Sequence, residues 1–244
     1  MGMKLTKSDD AVSPVIGVML MLVITIVIAG VIAAFGTGMV GNTETAPTAV
    51  FDVHIYSDIQ VLADSSMDYK PTTGPDFQIK HVSGDSIDTG DLEIRLTWED
   101  PQGKMRNSIY SADKFAAANP NGMEVTVEGG KITRTQPMYL KAPGGEALNA
   151  AGGAGETFFF THYFGTVTLE PGQKVTASAD LLDLGEENKD SPFMDMIFNN
   201  CKPLSESGND YGIMKYLPKG TEVQVSIIHT PSSKTIFDKE ISVE

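Results

Sequence analysis

The chain changes its hydropathy pattern abruptly near residue 44. Residues 11–43 carry no charged side chain, and Pro14 to Phe35 is almost wholly apolar. Such a run is close to the roughly 20 residues a membrane-spanning helix needs. It exceeds the apolar core of an ordinary secretory signal, about 7–15 residues. Beyond residue 49 the pattern becomes alternation with a period of two. Phe51, Val53 and Ile55 fall on one face of a strand, with Asp52 and His54 on the other. The same face takes Ile59 and Val61, and the opposite one Asp58 and Gln60. Leu92, Ile94, Leu96 and Trp98 alternate with Asp91, Glu93, Arg95 and Thr97. Further strands are expected over 76–82, 123–128, 131–136, 157–169, 173–180, 221–229 and 234–243, with turns at Gly129-Gly130 and Pro231-Ser232-Ser233.

Two short helices interrupt this pattern. SADKFAAAN offers Ser111 as a cap and Asn119-Pro120 as a stop, and SPFMDMIFNN starts on Ser191-Pro192. Both read as helices docked on the surface. The fold expected is therefore mainly β: a long N-terminal hydrophobic α-helix, then an antiparallel β-sandwich with one or two short helices.

The apolar run has readable ends. Ser13 is a good N-cap, Pro14 suits a first helical turn where no N–H is needed, and Asp9 and Asp10 lie at the positive end of the helix dipole. Lys4 and Lys7 precede the run and the next basic residue is Lys70, so the N-terminus is expected in the cytoplasm and the β region outside. Small residues recur along the helix at Gly17, Ala29, Gly30, Ala33 and Ala34. Ala29/Ala33 and Gly30/Ala34 have the small-xxx-small spacing that lets helices approach closely. The Gly, Thr and Pro content of residues 36–48 marks a hinge.

Composition changes the picture in three ways. The formal net charge of −14 argues against nucleic-acid partners, which call for a basic patch. The single cysteine, Cys201, excludes an intramolecular disulfide and reads as a small buried hydrophobe. No N-x-[ST] acceptor for N-glycosylation occurs. A search for catalytic and cofactor motifs finds no G-x-S-x-G, H-E-x-x-H, C-x-x-C or phosphate-binding loop, and the Gly-rich segment 142–155 lacks the ending such a loop needs. His54, His81, His162 and His229 lie on separate expected strands, which disfavours a shared metal. Asp85, Asp88 and Asp91, and Asp183, Glu186, Glu187 and Asp190, are oxygen donors of the kind that hold Ca²⁺. Their spacing fits no EF-hand, and solvated loop charge is the preferred reading. No metal, cofactor or catalytic residue is expected.

The segment DDAVSPVIGVMLMLVITIVIAGVIAAF resembles the N-terminus of archaeal type IV pilins of the euryarchaeal kind. The resemblance covers about residues 7–38, and SPVIG is its most specific part. It implies a leader, residues 1–11, cut by a prepilin peptidase between Ala11 and Val12, with Asp10 and Ser13 completing the recognition pattern. It implies a membrane and filament-core helix over 12–38, a hinge over 39–48 and an extracellular β-sandwich over 49–244. The glutamate that bacterial pilins carry five residues into the mature chain is replaced by Ile16, which points to the archaeal branch. The archaellum subunits' glycine-rich start is absent, so an adhesion pilus is expected, not a swimming filament. Implied partners are copies of the same chain, the prepilin peptidase, the pilus assembly ATPase, the membrane platform protein, and the membrane before assembly. No enzymatic activity is expected. The competing expectation is a membrane-tethered extracellular binding module on an uncleaved signal anchor; a membrane-anchored surface hydrolase is disfavoured by the empty motif search.

Overall fold

A computed structural model of the protein describes residues 14–38, 44–61, 72–127, 130–141, 162–178, 192–202 and 212–244. The chain divides into two units, Met1–Glu44 and Thr45–Glu244. Among the described residues the first holds one helix, α1, Pro14–Gly38. It is described from Pro14 onward; Ser13, the expected cap, lies outside the described residues.

The second unit is mainly β. Its elements in order are β1 (Ala49–Val61), β2 (Thr72–Gly84), β3 (Ile87–Asp88), β4 (Leu92–Glu99), β5 (Met105–Tyr110), α2 (Ala112–Ala118), β6 (Met123–Val127) and β7 (Gly130–Arg134). There follow β8 (Tyr139–Lys141), β9 (Thr168–Leu169), β10 (Lys174–Thr176), α3 (Pro192–Phe198), β11 (Glu222–His229) and β12 (Lys234–Ser242). One sheet has the order β1-β2-β10-β8 and the other β12-β11-β4-β5; β3-β9 and β6-β7 form two-stranded ribbons. All neighbouring strands within these sheets are antiparallel.

Alternation decides which faces meet. On β4, Leu92, Ile94, Leu96 and Trp98 are buried; on β11, Val223, Val225 and Ile227 are. The register sets Val223 against Trp98, Val225 against Leu96 and Ile227 against Ile94. Apolar residues thus lie directly opposite each other on the inner face, the arrangement that stabilises a sheet pair. Phe51, Val53, Ile55, Phe77 and Ile79 form the matching inner face of the other sheet, and the two faces share one core. At one corner the sheets are sewn together: Val243 bridges to Ile55 in parallel sense, and Glu244 exchanges backbone bonds with Ile55 and Ser57.

Three features depart from the alternation reading. The strand expected over 157–169 is not continuous where it is described: Tyr163 bridges to Tyr139, Gly165 turns at φ 93°, and only Thr168–Leu169 pairs as β9. Residues 157–161 lie outside the described residues. β5 and β8 come from MRNSIY and YLK, stretches too short or too polar to announce themselves. Finally, α3 is a core helix and not a surface-docked one. Phe193, Met194, Met196, Ile197 and Phe198 are all buried, leaving Asp195 as its partly exposed residue. A helix that is apolar nearly all round is driven inside. Phe198 meets Phe77 of one sheet and Trp98 of the other edge-on, with ring centroids 5.5 and 5.6 Å apart.

α2 behaves as expected. The Ser111 hydroxyl accepts from the Lys114 N–H, Asn119 closes the helix by donating its N–H to the Phe115 carbonyl, and Phe115 is buried. Cys201 is buried, and burial pushes its thiol above the ordinary range.

Candidate functional site

The sequence element with the clearest functional chemistry is α1. Its length, about 37 Å for 25 residues at the standard helical rise, spans a bilayer's hydrocarbon core. From Val15 to Ala33 every residue is exposed in the single chain. This stretch is long and apolar enough to cross a membrane. An apolar surface of this extent, with no polar face, is unstable in water and requires lipid or other protein around it. Thr25, the one polar side chain between Val15 and Ala33, donates its hydroxyl to the Leu22 carbonyl at 2.9 Å. Its hydrogen-bonding need is met inside the helix, which suits an environment without water.

Space around the small residues follows from the same geometry. A Cβ added at Gly17 or Gly30 meets nothing within 4 Å. At about 100° per residue, Ala29, Gly30 and Ala33 spread over one face of the C-terminal half of α1, while Gly17 falls on roughly the opposite side. The small positions therefore make two shallow notches at opposite ends and faces, not a single stripe. The Ala34 side chain lies outside the described part of α1, as do all of Asp10, Ala11, Val12 and Ser13.

Where the linker joins β1, the structure adds an anchor the sequence reading missed. The Thr48 N–H donates to Asp85 Oδ2 and the Asp85 N–H donates to the Thr48 carbonyl, both at 2.8 Å. Gly84 packs so closely that any side chain there would collide with the Thr48 carbonyl. The signal available in the sequence was Ser83-Gly84-Asp85 at the end of a strand, a turn composition with no long-range partner attached.

The other candidates resolve into structural roles. Asp88 caps a short 3₁₀ turn by accepting from the Gly90 N–H, and Asp85 is taken by Thr48. The cluster at Asp183, Glu186, Glu187 and Asp190 lies outside the described residues. His81 is buried between the carbonyls of Leu169 and Ser83, and His229 bonds the Ser232 hydroxyl. His54 sits on β1 between Glu244 and Asp52. Among the described residues no three of His, Cys, Asp and Glu converge as a metal site. An open groove of about 580 Å³ runs beside Trp98, Met105 and Pro218, bordered by Glu99, Glu222 and Glu240.

Comparison with known proteins agrees with the N-terminal chemistry. Residues 10–51 match the family model described as archaeal type IV pilin, N-terminal. A protein of Archaeoglobus fulgidus described as uncharacterized is 31% identical over 141 residues, covering 57% of this chain and 80% of the relative. No solved structure matches. The matched stretch contains the whole of α1 and reaches the first residues of β1, the two parts that carry the apolar surface and its attachment to the β unit. Residues 10–51 thus carry the N-terminal segment of the archaeal type IV pilin family.

Proposed function

We propose that this pilin is a structural subunit of an adhesion filament that polymerises through α1 after removal of residues 1–11. The observation that carries this reading is a helix apolar on every face and exposed from Val15 to Ala33, inside the family-matched segment. Before assembly α1 lies in the membrane with the N-terminus in the cytoplasm. A prepilin peptidase cuts between Ala11 and Val12, with Asp10 and Ser13 flanking the bond. The assembly ATPase and membrane platform protein then draw the helix out of lipid and against other copies. The same apolar surface satisfies both environments, because lipid tails and neighbouring helices are alike in excluding water. Without a hydrophobic difference between those two surroundings, association depends on close packing. Pro14, Gly17, Ala29, Gly30, Ala33 and Ala34 supply the positions where backbones can approach.

Mass spectrometry of native material tests the processing step: filament subunits should begin at Val12. Dispersed single chains that keep residues 1–11 would instead establish an uncleaved membrane anchor. Gly30→Leu tests the packing role. It meets no steric conflict within the chain, so membrane insertion should stay normal while filament yield falls. Equal filament yield would remove Gly30 from the interface.

A further inference from the structure

Among the described strands β5 lies at the edge of its sheet, and such an edge offers unpaired backbone groups to any passing strand. In an antiparallel pair alternate residues direct N–H and C=O outward, and on β5 these include Asn107 and Ile109. The Asn200 side chain meets both. The Ile109 N–H donates to Asn200 Oδ1, and Asn200 Nδ2 donates to the Asn107 carbonyl, each at 3.1 Å. A carbonyl and an N–H presented to residues i+2 and i of a strand are what one residue of an added strand would present. The amide therefore imitates a strand one residue long. The Asn200 N–H donates to the Ser108 hydroxyl at 2.9 Å, and that hydroxyl donates to the Ile197 carbonyl at 2.6 Å. Asn119 Nδ2 holds the Cys201 carbonyl at 2.9 Å. Asn200 and Cys201 both adopt the left-handed region, at φ 54° and 61°, which aims the Asn200 amide along the strand edge.

We propose that the Asn200–Cys201 turn is an edge plug, which keeps β5 from accepting a strand of a second copy. Its occupant is internal, and the partner it excludes is the β5 edge of another chain. The plug's importance in the cell rests on the proposed filament, where copies stand at high local concentration; its test does not.

In the full-length protein in detergent, hydrogen exchange at the Ile109 amide should be slow in the wild type. It should be at least tenfold faster in Asn200→Gly, which keeps the left-handed backbone and deletes the amide. Ile109 exchanging at an unprotected rate in the wild type would overturn the plug. For the guarding role, Asn107→Cys reports contact between two β5 edges. It should give little cross-linked dimer alone and severalfold more when combined with Asn200→Gly. Adding Ile109→Pro, which removes an outward donor without touching the β4 ladder, should return cross-linking to the starting level. The unmodified protein, with buried Cys201 as its single thiol, serves as the blank. Unchanged cross-linking in the Asn200→Gly background would overturn the proposal. If Asn200→Gly fails to fold, Asn200→Asp, which keeps the acceptor for the Ile109 N–H but frees the Asn107 carbonyl, is read by cross-linking alone.

Discussion

Gly84 and Gly30 make opposite demands on the chain. Gly84 sits at φ 118°, with the Thr48 carbonyl where a Cβ would go. Gly84→Ala combines backbone strain with a collision at the linker anchor, so it should destabilise the β unit by more than about 1 kcal/mol. Urea unfolding would show this as a lower midpoint at constant slope, and an unchanged midpoint would contradict the close approach. Gly30, by contrast, has open space around it, so under the proposed assembly its substitution acts where helices meet. Asp100 is a third residue with a single-site consequence. Its buried carboxylate accepts the N–H groups of Gln102 and Lys104 and the Arg106 guanidinium, at 3.0, 3.0 and 2.7 Å. Burial pushes its pKa up, but the Lys104 and Arg106 bonds outweigh this and hold it below the ordinary carboxylate value. A depressed folded-state pKa contributes stability above the unfolded value, about pH 3.9, and loses it as acid is added. Asp100→Asn should therefore be less stable than wild type at pH 7, and the gap should narrow toward pH 3 in thermal unfolding.

At the scale of elements, the corner between β1 and residues 243–244 is held by a clasp that titrates. His54 Nδ1 lies 2.9 Å from Glu244 Oε1, and Nε2 lies 3.2 Å from Asp52 Oδ1, with the ring stacked on Tyr56. Burial lowers the imidazole pKa, yet the Glu244 and Asp52 carboxylates overcome this and raise it. A raised folded-state pKa gives stability that is complete below about pH 6.5 and is lost as pH rises through the folded value. Wild type should thus lose part of its stability as pH rises above about 6.5, and His54→Gln should not. A pH profile with the same slope in both proteins would remove the clasp.

This clasp also shows what the sequence could and could not convey. Alternation placed His54 on the outer face of β1 correctly. It held no information that residue 244, 190 positions later, would complete the pair, because cross-sheet partners depend on topology and leave no local period. The same limit explains Asn200: a polar residue after FMDMIF looks like the end of a helix, and only the neighbouring edge of β5 gives it a second role. Long strands such as β4 and β11 were legible because each buries one whole face. Gly165 broke the expected 157–169 strand because backbone conformation there overrode a pattern of apolar and polar residues. α1 was the most legible element, since uninterrupted apolar character over its length has few physical solutions.

For the molecule as a whole, two kinds of stability coexist in one chain. The β unit buries Phe51, Phe77, Trp98, Phe115, Phe193 and Phe198 in a core of its own. Large apolar side chains of this kind contribute about 1.5–3 kcal/mol each when removed from water. All the residues of that core lie in the β unit, and Val15 to Ala33 of α1 are exposed. Its apolar surface is reserved for lipid or for other copies. If this division is right, residues 45–244 should fold without residues 1–44. The fragment should be soluble without detergent, as its acidic surface favours. It should unfold cooperatively, with a stability within about 0.5 kcal/mol of the full chain's β unit, as expected when every residue of that unit's core is kept. It should also be unable to enter filaments, even when mixed with full-length subunits. Circular dichroism during urea unfolding gives the first two results, and sedimentation of mixed assemblies gives the third. A fragment that is molten or aggregated would show that the β unit draws stability from the N-terminal segment. A fragment that co-sediments with filaments would show that the β units can hold subunits together without α1.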